Sequence, residues 1–249
     1  MPIMSITIKA ARIQHEKAAQ RVASHFGLCL PVSRVLCFLD DQDPSSLKRA
    51  FGAANRGLSG TVKDGDDFSI WPDYVQKWMH ADGVPLIDQL IYLYGTTCSD
   101  EVGLTMTLAH ELQHAIQHDR LRKVWAVNSL IRRLPTAVDN LKLEWADIPI
   151  ERDARIVSKR VALDLHGEEL VRRYIDKRSA EAVEPHDVID WHFVRGLTPS
   201  SSVDLVGDTH RLFHRLIDHK QEVEDALRGR KNDSDYSDIN LDDFFNSSV

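Results

Sequence analysis

In the segment Leu104-Thr105-Met106-Thr107-Leu108-Ala109-His110-Glu111-Leu112-Gln113-His114-Ala115-Ile116-Gln117-His118, apolar side chains recur at helical spacing. Leu104, Leu108, Leu112, Ala115 and Ile116 mark the buried stripe of a long helix. His110 and His114 stand four residues apart on it, so their imidazoles project from one face, one turn from each other. Two nitrogens so spaced can share one zinc ion, at bond lengths of about 2.0–2.1 Å. Glu111 lies one residue along, placed to take the proton of a metal-held water without binding the metal itself. This His-Glu-x-x-His pattern is the one metallopeptidases carry on a helix.

Outward from that helix, Thr97-Cys98-Ser99-Asp100 reads as its start, a hydroxyl cap with an acid three residues later. Leu90-Ile91-Tyr92-Leu93-Tyr94 reads as a strand ended by Gly95. Residues 10–27 have the spacing of an amphipathic helix (Ile13, Ala18, Val22, Phe26) that stops at Gly27, and 33–39 form a β-branched and apolar strand. A short helix is expected at 45–52 and another at 73–80. Gly60-Thr61-Val62 and Phe68-Ser69-Ile70-Trp71 flank Lys63-Asp64-Gly65-Asp66-Asp67 as a hairpin. Pro149 suits the first turn of a second long helix, and a further helix follows at about 203–228. No internal repeat is visible.

A catalytic zinc needs a third protein ligand and one open position. Glu151 is the expected one. It falls in the first turns of the later helix, 37 positions after His114, and the intervening chain can return it over the metal. Asp153 is then an acceptor for a ligand imidazole N–H. Glu144, Asp147 and Asp153 are the rival ligands. His118 shares the face of His110 and His114, but eight helical residues rise about 12 Å, too far for one metal. His210 and His214 repeat the four-residue spacing with no glutamate after the first, which reads as a surface pair. Tyr174, His166, His186 and His192 are candidates for the donor that steadies an oxyanion.

The chain of 249 residues is 43% hydrophobic, enough for one large domain over 1–231. A net charge of -7 and a pI near 5.9 argue against a general nucleic-acid binder. The local group Arg120, Arg122, Lys123, Arg132 and Arg133 reads as a solvated helix face. Three scattered cysteines and a charged start (Lys9, Arg12, His15, Glu16, Lys17) point to a reducing cytoplasm, and no apolar run approaches the roughly 18 residues of a membrane span. Residues 232–249 carry Asp233, Asp235, Asp238, Asp242 and Asp243 with no basic residue, an acidic disordered tail with a Phe244-Phe245 pair on which a regulatory protein partner could dock.

His110-Glu-Leu-Gln-His-Ala-Ile-Gln-His118 followed by Pro149-Ile-Glu-Arg-Asp-Ala154 resembles a gluzincin-type zinc metallopeptidase. The layout is similar to that of the ImmA/IrrE-like proteins, where a Glu-x-(Glu/Asp)-Ala helix supplies the third ligand. The likeness covers about residues 30–165, and its specific part is the two motifs. It implies an α+β, zincin-like fold: a small mixed or antiparallel sheet flanked by helices, the active-site helix, and a C-terminal helical region. It also implies a zinc ion held by His110, His114 and Glu151, with Glu111 as general base cleaving peptide bonds in a protein or peptide substrate. Where many gluzincins carry Asp four residues after the ligand Glu, this chain has Arg155. The 89–94 strand is then expected at the sheet edge, with Tyr92 or Tyr94 facing the cleft and an extended substrate adding beside it. The alternative is a regulatory binding module on the same scaffold with little turnover.

Overall fold

The computed structural model describes residues 6–10, 12–27, 35–40, 57–61, 89–94, 97, 100–133, 142–183, 185–198 and 200–221. The expected helices at 45–52 and 73–80, the second arm of the 60–71 hairpin and the 232–249 tail lie outside them. The described chain is mixed α and β, and mostly helical. Strand β1 (Ile6–Ala10) leads into helix α1 (Ile13–Phe26), then β2 (Val35–Asp40), β3 (Gly57–Thr61) and β4 (Gln89–Tyr94). Six helices follow: α2 (Glu101–Arg120), α3 (Arg122–Arg133), α4 (Pro149–His166), α5 (Glu168–Glu181), α6 (Pro185–Gly196) and α7 (Leu205–Asp218). A 3-10 turn at Trp145–Asp147 precedes α4.

The sheet runs in the order β1-β2-β4-β3. β1, β2 and β4 are parallel, with Ile6 opposite Val35 and Val35 opposite Gln89, and only β3 runs antiparallel to β4. This corrects the antiparallel alternative. Parallel neighbours need a crossover, which α1 supplies between β1 and β2. It also explains why β2 and β4 read as continuous apolar runs, because a central parallel strand is covered on both faces. Val35, Leu39, Ile91 and Leu93 pack with α1 and α2, while Leu36, Leu90 and Tyr92 on the opposite face are buried too.

The 89–94 strand is therefore internal, paired to β2 on one side and β3 on the other. Tyr92 is fully buried, so the edge-strand expectation fails. Its hydrogen-bonding groups are taken up by neighbours, and among the described residues β3 is the outer strand on that side.

Gly27 ends α1 with φ 52°, a backbone conformation that glycine adopts without penalty. Asp100 is itself the cap of α2, its Oδ1 accepting from the Gly103 N–H at 2.9 Å, so the helix starts three residues later than the Thr97 reading places it. Beyond His118 the helical run breaks at Leu121 (φ -129°, ψ 52°) and resumes as α3.

α2 is buried over most of its surface, with α1 and the sheet on one side and α4 on the other. Contacts pair Thr105 with His166, Gln113 with Asp153 and Gln117 with Ile150, so α2 and α4 run antiparallel. One apolar cluster joins α3, the start of α4 and α7; another joins α2, α4, α5 and α6. Asn128, fully buried on α3, ties three helices together. Its Nδ2 donates to Val124 O (2.8 Å) and Thr209 Oγ1 (2.9 Å), and its Oδ1 accepts from Ile150 N (3.4 Å). Among the described residues no helix is long and apolar enough to cross a membrane.

Asn128→Ala strands the Ile150 N–H beside the third-ligand position and leaves the Thr209 hydroxyl without its donor. We expect a loss of about 1–3 kcal/mol in urea denaturation. A loss under about 0.5 kcal/mol contradicts the three-helix role given to Asn128.

Candidate metal centre

Two elements build the centre. α2 presents His110 and His114 from successive turns. α4 opens with Pro149 in its first turn, where a missing N–H costs nothing, and so puts Glu151 within that same turn. The antiparallel crossing brings the three together. His110 Nε2 stands 3.3 Å from Glu151 Oε2, His114 Nε2 stands 3.3 Å from Glu151 Oε1, and the two Nε2 atoms are 3.0 Å apart. Ligand atoms about 2.0–2.1 Å from a tetrahedral ion sit roughly 3.3–3.4 Å from one another. The three side chains thus have the spacing of one metal site.

Burial points the same way. Glu151 is 2% exposed and His114 1%. Glu151 Oε1 has Arg132 Nε at 3.1 Å and the His114 ring beside it, yet no contact has hydrogen-bond geometry. A buried carboxylate oxygen left short of donors is suited to a cation. Two nitrogens and one carboxylate form a donor set that suits a divalent metal ion.

His114 is oriented by its other nitrogen. Nδ1 lies 2.8 Å from Gln117 Oε1, and Gln117 Nε2 donates to Ile150 O (3.1 Å) and Asp153 Oδ2 (2.7 Å). Gln113 Nε2 donates to the same Asp153 oxygen at 2.7 Å. Asp153 therefore acts on the ligand histidine through an amide rather than directly, as the sequence reading has it. Trp125 sits edge-on between His114 and His118, with ring centroids 5.6 and 5.7 Å away. Arg132 lies over Trp145 at 5.3 Å. Glu111 is buried beside both imidazoles and makes no hydrogen bond or ion pair with another described residue, so its carboxylate is available.

These charges shape the titration of the metal-free centre. Burial and the neighbouring His114 hold His110 below its ordinary value. Burial pulls His114 down as well, but the Glu151 carboxylate outweighs it and leaves His114 raised. Burial opposes the charge on Glu151, and Arg132, His114 and His110 together overcome it, holding the carboxyl well below the usual range.

The other expected candidates lie elsewhere. Glu144 and Asp147 cap the 3-10 turn reciprocally. Arg155 pairs with Asp190 at 2.5 Å. His166 bonds Thr105 at the far end of α4, fifteen residues and about 22 Å of helix from Glu151. Tyr174 packs over Gly103, where an added Cβ would meet its hydroxyl at 2.8 Å. His192 lines a cavity of about 670 Å³ along α6 that shares no residue with the centre. The side chain of His186 lies outside the described residues. His210 and His214 are exposed on α7, and among the described residues no carboxylate joins them.

Gln117 and Trp125 are centre residues that the sequence reading passes over, and Arg132, read there as part of a solvated helix face, lies against Glu151 instead. Gln117 was within reach, three residues from His114 on one helix. Arg120, Arg122 and Lys123 of that group are exposed, whereas Arg132 is only 30% exposed.

A metal ion at His114 would compete with a proton, whose hold the Glu151 carboxylate strengthens. Apparent zinc affinity should therefore climb from pH 6.5 up to the raised His114 value, releasing one proton, and level off above it. A flat profile in that window, in competition with a chromophoric chelator, contradicts His114 as a ligand. Gln117→Leu should weaken zinc about 10–100-fold in the same assay, because the imidazole loses the partner that fixes its tautomer.

No protein-family model, no curated protein and no solved structure matches the chain.

Proposed function

We propose that this chain is a zinc-dependent metallopeptidase of the zincin type, acting in the cytoplasm on an internal peptide bond of a protein substrate. The observation that carries the reading is the meeting of His110, His114 and Glu151 around one point, with the unengaged Glu111 carboxylate beside them.

A divalent zinc held by these three would acidify water and polarise a carbonyl. The remaining work belongs to the chain. His110 and His114 hold the ion from one helix face, and Glu151 fixes it from the facing helix. Gln117 and Asp153 keep the His114 ring in one orientation. Glu111 takes a proton from the attacking water and returns it to the amine leaving group. The donor set alone also suits Fe(II), but a buried, unpaired carboxylate next to the ligands is the part that hydrolysis requires.

A binding module without turnover has no use for such a base. Among the described residues nothing else engages the Glu111 carboxylate, which leaves it for proton transfer.

Glu111→Gln keeps the shape and removes the base. The variant should hold one zinc per chain by elemental analysis and cleave an unfolded protein substrate about 10²–10⁴ times more slowly. Wild-type turnover in Glu111→Gln would overturn the assigned chemistry.

A further inference from the structure

We propose that Arg132 is the oxyanion-binding residue of this centre, receiving the negative charge that develops on the carbonyl oxygen as water adds. The proposal rests on the metallopeptidase reading and deepens it.

Of the cationic side chains described, Arg132 is the one that touches the ligand set. Its Nε stands 3.1 Å from Glu151 Oε1, and its guanidinium is pinned over the Trp145 ring at 5.3 Å. Ring and carboxylate fix the plane of the group, which is the ordering a catalytic donor needs in advance. Its donor capacity is nevertheless unspent. Among the described residues the guanidinium makes an ion pair and a ring contact but no hydrogen bond, and the side chain is 30% exposed. A guanidinium presents five N–H donors in a rigid fork matched to oxygen anions. Here that fork lies against Glu151 Oε1, one of the three converging ligand atoms, and the side chain is partly open to solvent.

Charge balance gives it a task. When water attacks, one O–H bond breaks and its proton goes to Glu111. A C–O bond forms, and the carbonyl π pair moves onto oxygen. Negative charge thus leaves Glu111 and appears on the former carbonyl oxygen, at the ligand set that Arg132 borders. The described donors suggested by sequence are engaged elsewhere: Tyr174 packs on Gly103, His166 bonds Thr105, and His192 lines the α6 cavity.

The test uses the full chain loaded with cobalt(II), whose visible absorption reports groups entering the open position. Wild type, Arg132→Gln and Arg132→Ala are titrated with methylphosphonate, a tetrahedral oxyanion, and separately with imidazole, a neutral ligand. We expect both variants to load one cobalt and to bind imidazole within about threefold of wild type, while methylphosphonate binding weakens at least about tenfold. Arg132→Gln keeps an amide near Glu151 and carries the test if Arg132→Ala does not fold. Unchanged methylphosphonate binding in a cobalt-loaded variant overturns the oxyanion role and leaves the metal centre standing. Loss of cobalt in both variants overturns it too, because Arg132 then only positions Glu151. A wild-type protein that takes up no cobalt removes the metallopeptidase reading itself.

Discussion

One buried carboxylate constrains this molecule. Glu151 is 2% exposed, and an ionised carboxyl so placed costs several kcal/mol unless charge is brought to it. The chain sets three groups around it: the Arg132 guanidinium from α3 and the His114 ring from α2 oppose its charge, and the His110 ring offers a nitrogen. Each comes from a different turn or helix, so the charge can be buried only when α2, α3 and α4 are correctly docked. Surrounding that carboxylate and bringing together the three side chains that could hold a metal ion are the same event.

The polar face of α4 extends that logic along the molecule. Arg152 reaches Asp208 on α7 at 2.8 Å, and Arg155 reaches Asp190 on α6. Lys159 caps the end of α6 by donating to the carbonyls of Val194 (2.9 Å), Arg195 (3.1 Å) and Leu197 (2.6 Å). Exposed pairs of this kind would contribute little. Here Asp190 is buried and Asp208 largely so, and each contact specifies which helix lies where. The C-terminal helices thus buttress the helix that carries the third ligand. Arg155, standing where related patterns place an acid, is explained by this structural duty.

Much of this was legible in the sequence, and the failures have physical causes. α1, β2, β4 and the start of α4 fall where periodicity, Gly27 and Pro149 place them, because those signals are local. Thr97 and Asp100 are both good caps, and local chemistry does not say which one the tertiary structure uses. The break at Leu121 leaves no mark in the apolar spacing. It nonetheless turns α3 so that Trp125 meets His114 and Arg132 meets Glu151. Arg132 was missed for that reason: an arginine among arginines on a helix reads as solvated until another element arrives to claim it. Strand order is likewise non-local, and nothing within residues 57–61 announces that they pair with β4.

The two histidine pairs of this chain show what makes a site. His110 and His114 have ring centroids 4.5 Å apart and Nε2 atoms 3.0 Å apart; for His210 and His214 the values are 4.4 and 3.2 Å. By spacing alone the pairs are nearly interchangeable, since both follow from helix geometry. They differ in what the fold sets against them. The α7 pair looks onto solvent, while the α2 pair faces a buried carboxylate from a helix 37 positions away, with a glutamate and an arginine at its margin. Solvent can hydrate the α7 rings in any protonation state, so nothing there favours a cation. At the α2 pair, Glu151 is buried and its Oε1 has no hydrogen bond among the described residues, surroundings that suit a cation. The motif proposes a ligand pair; the burial of Glu151 turns it into a centre.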